Sequence, residues 1–195
     1  IDDKVAATVL AYLPGNFGGD AVADILFGDV NPSGKLPYTY PRMVHSLINY
    51  WHKYSEEQVK DEGMYNYESD YSPMYEFGHG LSYTTFKYSD LKLSKKEITA
   101  DENLTVSVTV TNTGIREGKE AVLLYLSDLY ASLAPDMKRL KGFDKISLQP
   151  GESKTVSFTL TKNELSFVNI DNKTLAEPGE FEVKIADLKD IFNLK

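Results

Sequence analysis

The chain has 195 residues, 42% of them hydrophobic and 26% charged, and its 29 acidic against 21 basic side chains give a net charge of −8. Such a composition fits one large or two small globular domains. The acidic balance excludes the basic footprint of non-specific nucleic-acid binding, no apolar run approaches the roughly 18 residues of a membrane span, and the absence of cysteine leaves nothing dependent on a redox compartment.

Ile1-Asp2-Asp3-Lys4 lacks the basic-then-apolar pattern of a signal peptide, and there is no starting methionine, so the sequence reads as cut from something longer. Residues 5–13 form a nearly continuous apolar run. It reads as a strand buried on both faces or as a short buried helix, and periodicity does not separate the two. Pro14-Gly15 ends it. Asp20 then stands as an N-cap or first-turn acid of a helix whose Val22, Ile25 and Leu26 share a face, with Gly28 as its C-terminal cap. Asn31-Pro32-Ser33-Gly34 reads as a turn, and residues 35–41 as an extended edge segment, restricted by Pro37 and Pro41. One α/β unit and one edge strand do not cover two faces of a sheet. Residues 1–44 are therefore expected to be the C-terminal remnant of a larger α/β domain and to need a partner.

Residues 45–86 read as a long aromatic loop and a junction. Tyr50, Trp51, Tyr54, Tyr65, Tyr67, Tyr71 and Tyr75 crowd into the loop, which argues for order, since disordered segments are poor in aromatics. Residues 55–58 suit a short helical turn. In the junction, Gly78 and Gly80 are expected to supply unusual backbone angles. Phe77, Leu81, Tyr83 and Phe86 offer apolar surface to wedge between two bodies.

From about Tyr88 the period changes to two. Leu91 and Leu93, then Leu104 to Val110, Val156 to Leu160 and Phe181 to Ile185 alternate with polar neighbours, Val122, Leu124 and Leu126 share one face of a further strand, and residues 139–146 form another. Leu123 and Tyr125 make the opposite face of their strand apolar too, so that strand is expected to be central. Gly142 is a candidate bulge. Gln149-Pro150-Gly151-Glu152 and Glu177-Pro178-Gly179-Glu180 carry the Pro-Gly signature of type II turns. About seven short strands in roughly 100 residues describe a fibronectin-like β-sandwich, expected to span residues 87–195 and to fold alone. The fold class is thus mainly β, an immunoglobulin-like sandwich preceded by a truncated α/β fragment.

Tyr75 to Phe86, read as Tyr-Glu-Phe-Gly-His-Gly-Leu-Ser-Tyr-Thr-Thr-Phe, resembles the linker before the fibronectin type III-like domain in family 3 glycoside hydrolases, the β-glucosidases and their relatives. Tyr12 to Arg42, with its specific phrase Asn31 to Pro37, looks like the end of that family's α/β sandwich domain. Phe17 departs from it, standing where many members carry a glutamate before the paired glycines. Tyr50 to Glu56 resembles a recurrent segment of the bacterial members. Val106 to Gly114, Tyr125 to Asp128, Leu140 to Phe143 and Glu177 to Phe181 resemble the family's third domain.

Retaining glycosidases use two carboxylates about 5–5.5 Å apart. In the resembled family the nucleophile is an aspartate of the first, barrel domain, and the acid/base is a glutamate upstream of the segment matched here. The resemblance therefore implies no catalytic residue in this chain. Asp20 reads as a helix acid, and Glu56, Glu57, Asp61 and Glu62 as a solvated face. His45, His52 and His79 lack metal-ligand spacing, and no phosphate loop is present, so neither metal nor cofactor is expected. His79 reads as a hydrogen-bonding residue that holds the junction turn. Asn103 and Asn172 open glycosylation sequons, which carry meaning only in a secreted eukaryotic protein.

Tyr50, Trp51, His52 and Tyr54 are the candidate substrate-binding residues, because amphipathic rings beside polar donors suit a sugar's C–H faces and hydroxyl edges. The plainer expectation is that these rings pack the loop onto the α/β body. The resemblance implies a scaffolding, non-catalytic piece of an exo-acting β-glucosidase-like enzyme. Its partners would be the barrel and α/β domains and a β-linked oligosaccharide or glucoside, in the periplasm or outside the cell. Xylosidase and arabinosidase relatives share these motifs. A stand-alone carbohydrate-binding or protein-interaction sandwich is the alternative from another class.

Overall fold

The computed structural model describes residues 4–42, 44, 49–52 and 73–195. His45, Tyr54, Tyr65, Tyr67, Tyr71, the 55–58 turn and the acidic run Glu56 to Glu62 lie outside the described residues.

Helix α1, Gly18–Phe27, starts at Phe17 without a side-chain cap and carries Asp20 in its first turn, as one of the two readings held. Gly28 closes it in the left-handed conformation, φ 85°, with its N–H on the Ile25 carbonyl, the αL cap expected of glycine. Two expectations fail on this segment. Residues 5–13 form neither a strand nor a buried helix; they run exposed. Leu26 is 64% exposed and does not share the half-buried face of Val22 and Ile25. Residues 5–13 pair with no described strand, and a strand exists only where a neighbour pairs with it.

The sandwich packs a three-stranded sheet on a five-stranded one. The first has the order β1 (Phe86–Leu93), β3 (Leu104–Asn112), β6 (Ser153–Leu160). The second runs β2 (Glu97–Ile98), β10 (Leu188–Leu194), β9 (Gly179–Ile185), β4 (Gly118–Asp128), β5 (Arg139–Leu148). A short helix α2, Lys162–Leu165, opens on a capping box of Thr161 and Glu164 and leads to the hairpin β7 (Phe167–Val168) and β8 (Thr174–Leu175). Alternation buries Val106, Val108 and Val110 of β3 against Val122 and Leu124 of β4. Phe181 and Phe192 stack at 5.4 Å in the same core.

β4 lies between β9 and β5, the central place its two apolar faces required. β10 was not legible as a strand. Its sequence Leu-Lys-Asp-Ile-Phe-Asn-Leu puts Asp190 at an inward-facing register, where Lys96 pairs with it, and turns Ile191 outward. β1 carries a bulge between Ser89 and Lys92, with Asp90 at φ 53°, which shifts the inward series from Phe86 and Tyr88 to Leu91 and Leu93. Gly142 is beside a bulge: the register slips at Lys141. Its lack of a Cβ serves the Phe158 ring, which would stand 2.8 Å from one. Gly151 makes the expected turn, at φ 76° with the Glu152 N–H on the Gln149 carbonyl at 3.0 Å. Gly179 does not; it begins β9 opposite Leu194, and Glu177 spends its carboxylate on the Ser132 N–H and hydroxyl.

Candidate functional site

The outer face of β4 presents Leu123 and the ring of Tyr125, and the junction lies across it. Gly78, at φ 85°, approaches so closely that a Cβ would stand 2.8 Å from Leu123 Cδ1 and 3.2 Å from the Tyr125 hydroxyl. Phe77 stacks with Tyr50 at 4.4 Å, and Tyr125 meets both rings edge-on at 6.5 and 6.0 Å. The Tyr50 hydroxyl accepts the Leu140 N–H at 3.1 Å, and the Trp51 carbonyl accepts the Met137 N–H at 3.0 Å. The Lys138 ammonium lies 5.2 Å above the Tyr125 ring and 3.6 Å from the Glu76 carboxylate. Burial first, then Tyr50 and Glu76, pushes the Tyr125 phenol up to about 12, so its hydroxyl stays protonated.

Three of the four candidate residues fall in this one turn, with different parts to play. Tyr50 uses both ring face and hydroxyl in packing. It packs on the sandwich, not on the α/β body as the plainer expectation had it. Trp51 touches Tyr50 edge-on at 4.9 Å and remains 38% exposed. His52 is exposed beside it, its N–H on the Asn49 carbonyl. Tyr54 lies outside the described residues.

The segment 31–36 is no turn. It is an extended strap laid along residues 78–80. The Leu36 N–H reaches the His79 carbonyl and the Gly78 N–H reaches the Leu36 carbonyl, both at 2.8 Å. Gly80 is a glycine for closeness and not for its backbone angle: a Cβ would stand 2.1 Å from the Gly34 carbonyl oxygen. His79 holds the turn through its backbone, while its ring stacks on Tyr75 at 4.7 Å. Farther along, Tyr40 and Tyr75 pair as an isolated antiparallel bridge. Of the four apolar wedge residues, Phe77 and Phe86 are half-buried, whereas Leu81 and Tyr83 are exposed. Tyr83 instead donates its hydroxyl to the Ile25 carbonyl at 2.7 Å.

Sequence reasoning missed the polar side chains that tie strap to sandwich. The Asn31 amide donates to the Glu117 carbonyl at 2.9 Å, and its oxygen accepts from the Ser82 hydroxyl and the Tyr83 N–H. Arg116 donates to the Gly28 carbonyl at 3.1 Å, the left-over acceptor at the end of α1. Lys35 meets the Glu120 carboxylate at 3.2 Å. A signal for the last was present: Glu120 stands at an inward place in the series Gly118, Glu120, Val122, Leu124. Also missed was a row of aromatic rings across the α/β segment, Tyr12 to Tyr38 to Tyr40 to Tyr75, at centroid spacings of 6.5, 6.3 and 6.1 Å. Among the described residues no group of His, Asp and Glu is placed to hold a metal ion.

Residues 1–83 match the glycosyl hydrolase family 3 C-terminal domain, and residues 120–188 match the fibronectin type III-like domain. A periplasmic β-glucosidase from Salmonella typhimurium is 46% identical over 190 residues, 94% of this chain and 25% of its own length. A β-xylosidase from Formosa agariphila is 43% identical over 195 residues, 100% of this chain and 27% of its own length. A solved β-glucosidase from Erythrobacter marinus superposes with a TM-score of 0.85 at 40% identity, over 95% of this chain and 25% of that one. The chain thus spans about a quarter of the length of the relatives it matches.

Proposed function

The chain belongs to glycoside hydrolase family 3, and on that premise we propose that it is a non-catalytic scaffold of an exo-acting, β-glucosidase-like enzyme of carbohydrate degradation. The reaction proposed for the whole enzyme is double-displacement hydrolysis of a terminal β-linked sugar, a glucoside or a xyloside, with both carboxylates supplied by domains outside this sequence. One observation carries the reading. The segment before the sandwich turns a run of large apolar side chains to solvent, with Leu13 at 97%, Phe17 at 81% and Phe27 at 85% exposure. So many exposed large apolar side chains in one segment favour a docking surface, and its proposed occupant is the remainder of the α/β domain.

Tyr50, Trp51, His52 and Tyr54 are proposed to stand on the leaving-group side of the active site, with the exposed Trp51 ring as the sugar contact and Tyr50 as its support. A periplasmic or secreted location is proposed by analogy with the Salmonella relative. The exposed rings of Tyr12, Tyr38 and Tyr40 favour one second reading, a stand-alone carbohydrate-binding module.

The test is activity and binding of the purified chain. No turnover of a nitrophenyl β-glucoside, no calorimetric binding of β-glucans, and turnover from the product of the full gene are the expected results. Turnover by the isolated chain would overturn the scaffold reading, and saturable glucan binding would transfer it to the module.

A further inference from the structure

Glu120 breaks the pattern of its strand. Gly118, Val122, Leu124 and Leu126 of β4 all point into the sandwich and are buried. Glu120 points with them and is 8% exposed. A carboxylate withdrawn from water destabilises a fold unless a cation and hydrogen bonds compensate it. Within the sandwich its partner is neutral: the Tyr88 hydroxyl, from the facing sheet, donates to Oε1 at 3.0 Å. Burial, the Glu120 charge and this hydrogen bond all raise the Tyr88 phenol above its ordinary value, so it stays neutral, and a phenol has no cationic form with which to compensate a carboxylate. Among the described residues the ammonium on Oε2 is that of Lys35, which belongs to the strap and comes from outside the sandwich.

Lys35 is fixed on both sides. Its ammonium donates to the Gly80 carbonyl at 3.0 Å as well as meeting Glu120. Its side chain is 20% exposed and that of Glu120 11%, so water screens the pair weakly. Asn31, four residues earlier on the same strap, bonds to the Glu117 carbonyl three residues before Glu120 in the chain. Strap and strand are therefore read against each other at two points, one of them charged. Sliding the strap by one residue would strand the carboxylate.

We propose that Glu120 and Tyr88 form a keyed socket for Lys35, and that Lys35 is the positioning residue that sets how the sandwich sits against the α/β segment. The inference goes beyond the scaffold reading and does not rest on it, because it concerns only this chain. The test uses the chain's freedom from cysteine. Spin labels at the exposed sites of Asp24→Cys on α1 and Lys154→Cys on β6 report the distance between the two bodies, and circular dichroism follows sandwich folding in parallel.

The parent chain is expected to give one narrow distance. Lys35→Met is expected to lose it, with the sandwich still folded at room temperature, and Lys35→Arg to keep it. The double variant Lys35→Met with Glu120→Gln removes both charges. It is expected to regain the melting temperature lost in the single variant while the distance stays broad. A narrow, unshifted distance in Lys35→Met would overturn the proposal. So would its return in the double variant, since an apolar contact would then position the bodies as well as the charge does.

Discussion

Gly80→Ala tests how the strap is held, without touching the sandwich core. The new Cβ would lie 2.1 Å from the Gly34 carbonyl oxygen and 3.2 Å from its carbon. Both atoms are backbone, so neither can rotate aside. Relief requires the strap to retreat by about 1 Å, since ordinary contacts begin near 3.5 Å between carbon atoms. That retreat breaks three hydrogen bonds: Leu36 N–H to His79, Gly78 N–H to Leu36, and Lys35 to Gly80. At about 1 kcal/mol each, the strap loses about 3 kcal/mol of local stability. By the usual factor of ten per 1.4 kcal/mol, the local opening constant rises about 100-fold. Amide hydrogen exchange reads this directly. The Leu36 and Gly78 amides should lose about two decades of protection, while Val108 and Leu124 keep theirs. Gly34→Ala is the control, because nothing lies within 4 Å of its added Cβ. Gly80→Ala with Leu36 protection intact, or Gly34→Ala with the same loss, would refute the close-approach argument.

Two further outcomes are expected. In a full-length enzyme of the proposed kind, Trp51→Ala should raise KM for longer oligosaccharides about tenfold more than for a nitrophenyl glucoside, a stacking loss of about 1–1.5 kcal/mol. Kinetics on the two substrates beside a melting curve decide it, and equal losses with a large fall in melting temperature would assign the ring to packing. The Lys95 hydrogen bond, then those from the Thr99 backbone and hydroxyl, lowers Glu102 from 4.5 to about 2. A depressed carboxyl stabilises the fold above its unfolded value and loses that contribution as pH falls through the folded one. Melting temperature should thus fall more steeply between pH 4.5 and 2 in the parent than in Glu102→Gln, and parallel curves would contradict the assignment.

The sandwich was legible because its core obeys a local rule. Strands half-buried in an antiparallel sheet must alternate, and Leu104 to Val110 or Phe181 to Ile185 do so without exception. Where tertiary demands override that rule the reading failed. β10 hides its period because Lys96 lets Asp190 face inward. The bulge at Ser89–Lys92 inserts one residue into β1, which no window of period two detects. Pro178-Gly179 carries turn chemistry but sits where β9 must begin, and strand pairing wins. The strap was misread for a related reason. Asn31 looks like a turn residue because asparagine often bonds to its own backbone, yet here its side chain bonds to residues 82, 83 and 117. Of the candidate site, aromatic content pointed to Tyr50 and Trp51. Which ring is packed and which is exposed depends on Phe77 and Tyr125, and no sequence spacing brings those two together with residue 50.

The expectation that residues 87–195 fold alone treated dependence as running one way, from the α/β segment to its partners. The polar contacts between the two parts argue for a different direction. The sandwich supplies α1 with Arg116 on the Gly28 carbonyl, and the junction adds Tyr83 on the Ile25 carbonyl. Both contacts are exposed, so water replaces either donor at a cost of about 0.5–1.5 kcal/mol. The strap supplies the sandwich with Lys35, and the acceptor there is a buried carboxylate. Removing the ammonium alone, with the strap still in place, costs about 3–5 kcal/mol, because the charge left behind stays buried. The larger single loss therefore attaches to the Lys35–Glu120 contact, whose acceptor lies in the part with the complete core. A sandwich cut free at residue 87 loses the ammonium that the intact chain sets on Glu120, so the junction with the α/β segment contributes to the sandwich's own stability.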